Sequence, residues 1–318
     1  MTKAASTSAA TMTERLQTKR VKRKINGVLL LDKPAGPSSN AALQHAKRLF
    51  QAEKAGHTGN LDPIATGLLP LCFGEATKFS QFLLDSNKSY QALIKLGQTT
   101  TTGDAEGEVL TQQRVDLSRA QVEAVLPKFV GHITQIPPMY SALKYQGKAL
   151  YSYARAGVEV ERQPREVTIY DLRLDAFAGD ELRVTLTCSK GTYIRVLAED
   201  IGQALGCGAF MKALRRTRTG SFDLAQAVTL PQLEAMDLQQ RDALLLPPDC
   251  LLQGLDAVTL DAVSAYYLGQ GQPIWRPKQS VGATLRVYDD NERFLGIGEV
   301  TTDGKIAPKR LVVAAGTG

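Results

Sequence analysis

Residues 182 to 205 change their hydrophobic period once, and that change limits the folds open to the chain. Leu182, Val184, Leu186 and Cys188 alternate with Arg183, Thr185 and Thr187, after which Ile194, Leu197, Ala198, Ile201 and Leu205 recur at helical spacing and Gly206 offers a stop. Alternation marks a strand buried on one face, and the longer period marks an amphipathic helix. Each has an apolar face that needs a second layer against it. Tyr193 and Arg195 stand at the strand-to-helix junction, a position that commonly presents side chains to a cleft.

The same code recurs elsewhere. GVLLLDK at 27 to 33 is a short apolar run ended by Pro34, Gly36 and Pro37, which reads as a buried strand and a turn. A helix of about three turns follows, capped by Ser38 or Ser39, with Leu43, Ala46 and Phe50 on its apolar face. In KSYQALIKLG, Tyr90, Ala92, Ile94 and Leu96 share one face of a strand. The segment 55 to 70 carries Gly56, Gly59, Gly67, Pro63 and Pro70 around His57, Thr58 and Asp62, and reads as a loop. From about 224 to 255 a Leu-rich pattern with Pro231, Pro247 and Pro248 suggests a terminal helix and a linker. Short alternating strands then surround the turn signals Asp289-Asp290-Asn291 and Asp303-Gly304, the pattern of a small β-barrel or sandwich.

Charge has to be placed before it is interpreted. The formal net charge is +6, but residues 1 to 24 hold seven basic residues and one acidic residue, leaving 31 of each sign for the rest. Residues 1 to 24 therefore read as a basic, disordered leader, and any nucleic-acid surface must come from local patches. One such patch lies at 131 to 166, where Tyr140, Tyr145, Tyr151 and Tyr153 interleave with Lys144, Lys148, Arg155, Arg162 and Arg165. That mixture suits stacking on bases with contacts to phosphates, and equally suits tyrosines packed in a helical hairpin. A second patch is Lys212, Arg215, Arg216 and Arg218, with no acidic residue between 209 and 222. The four cysteines form no CxxC pair and only three histidines could join them, so neither a zinc site nor a disulfide framework is suggested. No apolar run approaches the roughly eighteen residues of a membrane span, and the cytoplasm is the expected location.

Asp62 is the most suggestive single residue, although an Asp before a Pro more often organises a turn. His57 likewise fits a satisfied structural histidine. Longer strings point further: GVLLLDKP at 27 to 34, GHTGNLDPIATGLLP at 56 to 70, GEATKFSQFLLDSNKSY at 74 to 90, IPPMYSALKYQGKALY at 136 to 151 and CSKGTYIR at 188 to 195. Together they resemble the bacterial TruB-type tRNA pseudouridine synthases, over nearly the whole chain after residue 24.

That resemblance implies an α+β fold: a mixed, largely antiparallel sheet with helices around it in a catalytic domain over 25 to 245, and a PUA-type RNA-binding module over 250 to 318. It implies isomerisation of the T-loop uridine of tRNA, with the 131 to 166 insertion clamping the T-stem and loop. By the same resemblance Asp62 is the catalytic aspartate, Tyr90 packs against the target base, Arg195 pairs with the aspartate, Tyr193 contacts the nucleotide, His57 helps hold the flipped-out T-loop, and Leu214 is another nucleotide contact. Asn60 departs from the family, which carries a smaller residue there. The reaction moves ribose C1′ from N1 to C5 of the same uracil, without redox change or an external group, so no cofactor is implied. Tyr90 is a candidate for the base that takes the C5 proton. The chain is expected to act as a monomer. A non-catalytic tRNA chaperone and an aspartate-dependent hydrolase are the competing readings.

Overall fold

The computed structural model describes residues 22–276 and 279–313. One ten-stranded sheet forms the body. Its path runs Val228–Thr229, Gly27–Lys33, Thr66–Phe73, Ala209–Thr219, Lys88–Leu96, Glu181–Cys188, Arg165–Ala178, Gly131–Gln135. Ala55–His57 and Phe222–Asp223 pair beside this path. Only two pairings are parallel, Gly27–Lys33 with Val228–Thr229 and Thr66–Phe73 with Ala209–Thr219. The mixed, largely antiparallel sheet expected from the resemblance is therefore present.

The strands follow their sequence pattern. In Lys88–Leu96 the residues Tyr90, Ala92, Ile94 and Leu96 are all buried, as the alternation requires. Gly27–Lys33 is an apolar run because it is buried on both faces. Ser38 caps the helix Ser39–Leu49 by accepting from the Ala41 N–H, and Phe50 closes it. Ile194–Ala204 is the helix that follows Glu181–Cys188, with Tyr193 as its N-cap and Gly206 just beyond it at positive φ. These two helices share one large core with Leu29, Leu31, Leu69, Leu71, Ile94 and Leu186.

Three expectations change. The Gly/Pro-rich segment is not all loop: Ala55–His57 and Thr66–Phe73 are strands, and irregular chain remains only over 58–65. Pro70 is tolerated inside a strand because it falls between the two pairings on that side, Thr66 and Gly67 with Ala209–Thr219 and Leu71 to Phe73 with Ala55–His57. The expected terminal helix is instead two short helices, Leu230–Ala235 and Leu238–Asp242, each restarted by its own capping box at Thr229 and Asp237. The expected linker is not free chain either: the turn Pro248–Leu252 buries Leu251 and Leu252 against Val28, Leu30 and Phe79.

The C-terminal module is an open five-stranded sheet, Ala257–Thr259, Thr284–Tyr288, Phe294–Val300, Lys305–Leu311, Ile274–Trp275, curled with the helix Ala262–Gly269 around its own core. It is a half-barrel, in keeping with the PUA-type expectation. Phe294 and Ile297 reach out of it into the second core of the body, where Phe294 meets Phe79 edge-on at 5.4 Å. The expected basic leader lies outside the described residues up to residue 21. Arg23, counted with it, is bound to the body by backbone bonds to Gln51 and Glu53 and by an ion pair with Asp242.

Candidate active site

Sheet register assembles the site. Lys33 stands opposite Gly67, Gly67 opposite Arg216, Arg216 opposite Tyr90, and Tyr90 opposite Leu186. Residues directly opposite in a sheet project from the same face, so one row carries two cations and a tyrosine. Gly67 separates the cations because nothing larger fits: it has φ +101°, and a Cβ there would come within 2.3 Å of the Arg216 carbonyl oxygen.

The loop 58–65, which carries Asp62, is held at many points. Ser39, buried in the first turn of its helix, accepts the Leu61 N–H at 2.7 Å and donates to the Leu61 carbonyl at 3.0 Å. Lys33, fully buried, donates to the carbonyls of Pro63 at 3.3 Å and Ala65 at 2.7 Å. Burial pushes the Lys33 ammonium down to about 8, against the opposing pull of Asp62. Arg216 donates from Nε to Leu68 O at 2.7 Å and from Nη1 to Asn60 O at 3.3 Å. Among the described residues Asn60 contributes this carbonyl and is itself exposed. We expect Ser39→Ala to cost about 1–3 kcal/mol, because it strips partners from a buried N–H and C=O; urea unfolding measures this, and turnover should fall with it.

Arg195 supplies the counter-charge. It lies in the first turn of Ile194–Ala204, 5% exposed, with Nε 3.0 Å from Asp62 Oδ2 and 3.6 Å from Asp104 Oδ2. Its Nη1 donates to Thr102 O at 3.1 Å and its Nη2 to Tyr140 O at 2.7 Å. Asp104 is as buried as Arg195, whereas the Asp62 side chain is 38% exposed. Burial raises the Asp62 pKa above the usual carboxylate range and Asp104 adds to the rise; Arg195 and Lys33 oppose it. The result is a carboxylate open on one side and supported by a rigid guanidinium on the other.

Of the residues expected at the site, Asp62 and Arg195 are in direct contact, and the charge of Asp62 is felt at the hydroxyls of both Tyr90 and Tyr193. Tyr193 is fixed through its backbone: the side-chain amide of buried Gln135 donates to Tyr193 O at 3.2 Å and accepts its N–H at 2.9 Å. The Tyr90 hydroxyl is pushed above the ordinary phenol range by burial, which disfavours the phenolate that removal of the C5 proton would need. His57 ends the strand Ala55–His57, its Nδ1 buried without a partner among the described residues; burial and the charge of Arg216 lower its pKa and keep the ring neutral. Leu214 is 8% exposed in the main core, one step from Arg216 on the same face, so it forms part of the floor under the site.

Lys33, Ser39, Asp104 and Gln135 were not legible as site residues. Lys33 gave one weak signal, a charge ending an apolar run; Asp104 and Gln135 gave none. The second basic patch also reads differently in three dimensions. Lys212 pairs with Glu181, Arg215 with Asp32, Arg218 with Asp223, and Arg216 is buried. It is not a free phosphate-binding surface. Lys144, Lys148, Arg155 and Arg165 of the insertion are exposed and, among the described residues, have no acidic partner within ion-pair distance. The insertion itself is no helical hairpin: between Gly131–Gln135 and Arg165–Ala178 it forms a small β-hairpin, Lys144–Tyr145 with Lys148–Ala149, and the short helix Leu150–Arg155. The hairpin turns at Gln146 and Gly147, both at positive φ.

Comparison with known proteins gives the family. Residues 47–194 match the family model described as TruB family pseudouridylate synthase (N terminal domain), 195–253 the tRNA pseudouridylate synthase B C-terminal domain, and 257–312 Pseudouridine synthase II TruB, C-terminal. A tRNA pseudouridine synthase B of Methylobacillus flagellatus is 58% identical over 95% of this chain and 100% of its own. That of Nitrosospira multiformis is 57% identical over 92% and 96%. Among solved structures, a chain of a Cbf5-Nop10-Gar1 complex superposes with TM-score 0.68 at 26% identity, over 90% of this chain and 84% of that one. With similarity running through all three segments and nearly end to end, the chain belongs to the TruB family of pseudouridylate synthases.

Proposed function

We propose that the protein isomerises a uridine of tRNA to pseudouridine, acting as a monomer in the cytoplasm on the T-stem and loop. The observation that carries this reading is the half-open Asp62 carboxylate, held by Arg195 above the row that contains Tyr90. Family membership gives the reaction, and the site provides groups suited to it. Among the described residues no helix is long and apolar enough to cross a membrane.

The N1–C1′ bond breaks, the uracil turns within the site, C5 bonds to C1′, the C5 proton leaves and N1 ends protonated, so atoms and electrons balance without a further reactant. Attack on the ribose, attack on the base and removal of a ribose proton all start from an ionised carboxylate at the position of Asp62. Arg195 keeps that carboxylate ionised and aimed. The target nucleotide must leave its stack, at a cost of a few kcal/mol, and the Tyr90 ring, the neutral His57 ring and Tyr193 offer surfaces that offset part of it. The exposed cations of the insertion, with Arg155 5.4 Å from the centre of the Tyr151 ring, suit the RNA backbone.

The test is tritium release from tRNA labelled at uridine C5. Release by the parent protein with product at the T-loop supports the reading; tight binding without release supports a chaperone instead. A second expectation concerns binding. Combined Lys144→Ala, Lys148→Ala and Arg155→Ala should weaken tRNA binding and reduce the slope of log K against log salt by about two to three. Lys212→Ala, whose cation is paired with Glu181, should leave that slope unchanged.

A further inference from the structure

Arg216 has a role that the reaction as described leaves unassigned. It is 1% exposed, yet among the described residues no carboxylate lies within 4.0 Å of its guanidinium. Lys33 and Lys88, also buried, have no carboxylate within that distance and are solvated by backbone carbonyls. A buried cation without a counter-charge is costly, and a neutral side chain would support a loop at lower cost. What Arg216 touches explains its retention. Its two bonds go to Asn60 O, within the loop before Asp62, and Leu68 O, in the strand that follows it. Its register partner is Tyr90. Nη2 is buried with no acceptor among the described residues, and the charge of this guanidinium draws the Tyr90 phenol toward ionisation against the effect of burial.

From this geometry we infer that Arg216 is a positioning residue that braces the chain on both sides of Asp62 against the Tyr90 side chain, fixing the carboxylate relative to the ring that receives the base. The inference rests on the isomerase reading above. Rigid placement of the reacting group relative to its substrate is worth large factors in rate, so loss of the brace should appear in turnover rather than in RNA affinity.

The test is a double-mutant cycle with Arg216→Gln, Arg216→Lys, Tyr90→Phe and the two combinations, read by tritium release from one tRNA. Arg216→Gln should lower kcat by about tenfold or more with KM within about threefold of the parent, Arg216→Lys should recover part of the loss, and either change should lose at least half of its logarithmic effect when Tyr90 is already Phe. Full additivity, or a raised KM with unchanged kcat, overturns the brace. Where Arg216→Gln does not fold, Arg216→Lys, which keeps the charge, carries both comparisons. An independent readout is the Tyr90 ¹³Cζ resonance of tyrosine-labelled protein, assigned by its disappearance in Tyr90→Phe. Substitution of Arg216 should shift it, and an unmoved resonance overturns the brace even if activity falls. Absence of release by the parent protein overturns the isomerase reading instead, leaving the resonance to decide the brace.

Discussion

Asp62→Asn abolishes tritium release, by about ten-thousand-fold or more, while tRNA binding persists and the variant melts at a temperature no lower than the parent. The first part follows from the chemistry: each route from uridine begins at an ionised carboxylate, and Asn is nearly the same size without the charge. The second part follows from the cleft, since the RNA surface proposed here is the insertion, far in sequence from the loop. The third is a matter of linkage. Asp62 has a folded-state pKa above its ordinary value, chiefly through burial. A carboxyl whose pKa is raised by folding contributes its stability at low pH, and that contribution is lost as pH rises through the folded-state pKa. At neutral pH the charge works against the fold, and Asn removes it. Arg195 is not orphaned by the change, because Asp104 remains its ion-pair partner and two carbonyls still accept from it. Melting well below the parent would show that Asp62 mainly maintains structure.

Substitution of Arg195 should damage both activity and fold. Arg195→Leu leaves Asp104 buried without its cation, a cost of about 3–5 kcal/mol, which chemical denaturation measures. Most of this falls on Asp104, since Asp62 is open to water on one side. Arg195→Lys keeps the charge but cannot reach two carboxylates, Thr102 O and Tyr140 O together, and turnover should drop by about a hundredfold as the carboxylate loses its aim. The pH profile provides a separate check. Arg195 is the strongest influence holding the Asp62 pKa down, so its removal sends that pKa higher and moves the acid limb of kcat/KM to higher pH. An acid limb that stays in place would mean that Arg195 does not pair with Asp62 in the working enzyme.

Local pattern already contained much of this molecule. Alternation located Lys88–Leu96 and the strand that ends at Cys188, helical spacing located the two core helices, and Ser38 and Gly206 marked ends that the structure confirms. Those features depend on which side of a single element is apolar, a property of neighbours in the chain. The roles expected of Asp62, Tyr90, Tyr193 and Arg195 came only from the longer strings that carry the family resemblance, because local context alone reads Asp62 as a turn residue and Tyr90 as core.

Register and burial of charge were decided only in three dimensions. Nothing near Lys212, Arg215 and Arg218 in sequence told which were free, since Glu181 and Asp32 arrive from distant strands. Nothing near Asp104 or Gln135 announced that they would support Arg195 and Tyr193, and the charge ending the apolar run at Lys33 did not say what it would hold. Hydrophobic periodicity is set over a few residues and survives any partner, whereas a charge is paired, buried or exposed according to groups that only the folded sheet brings within a few ångströms of it.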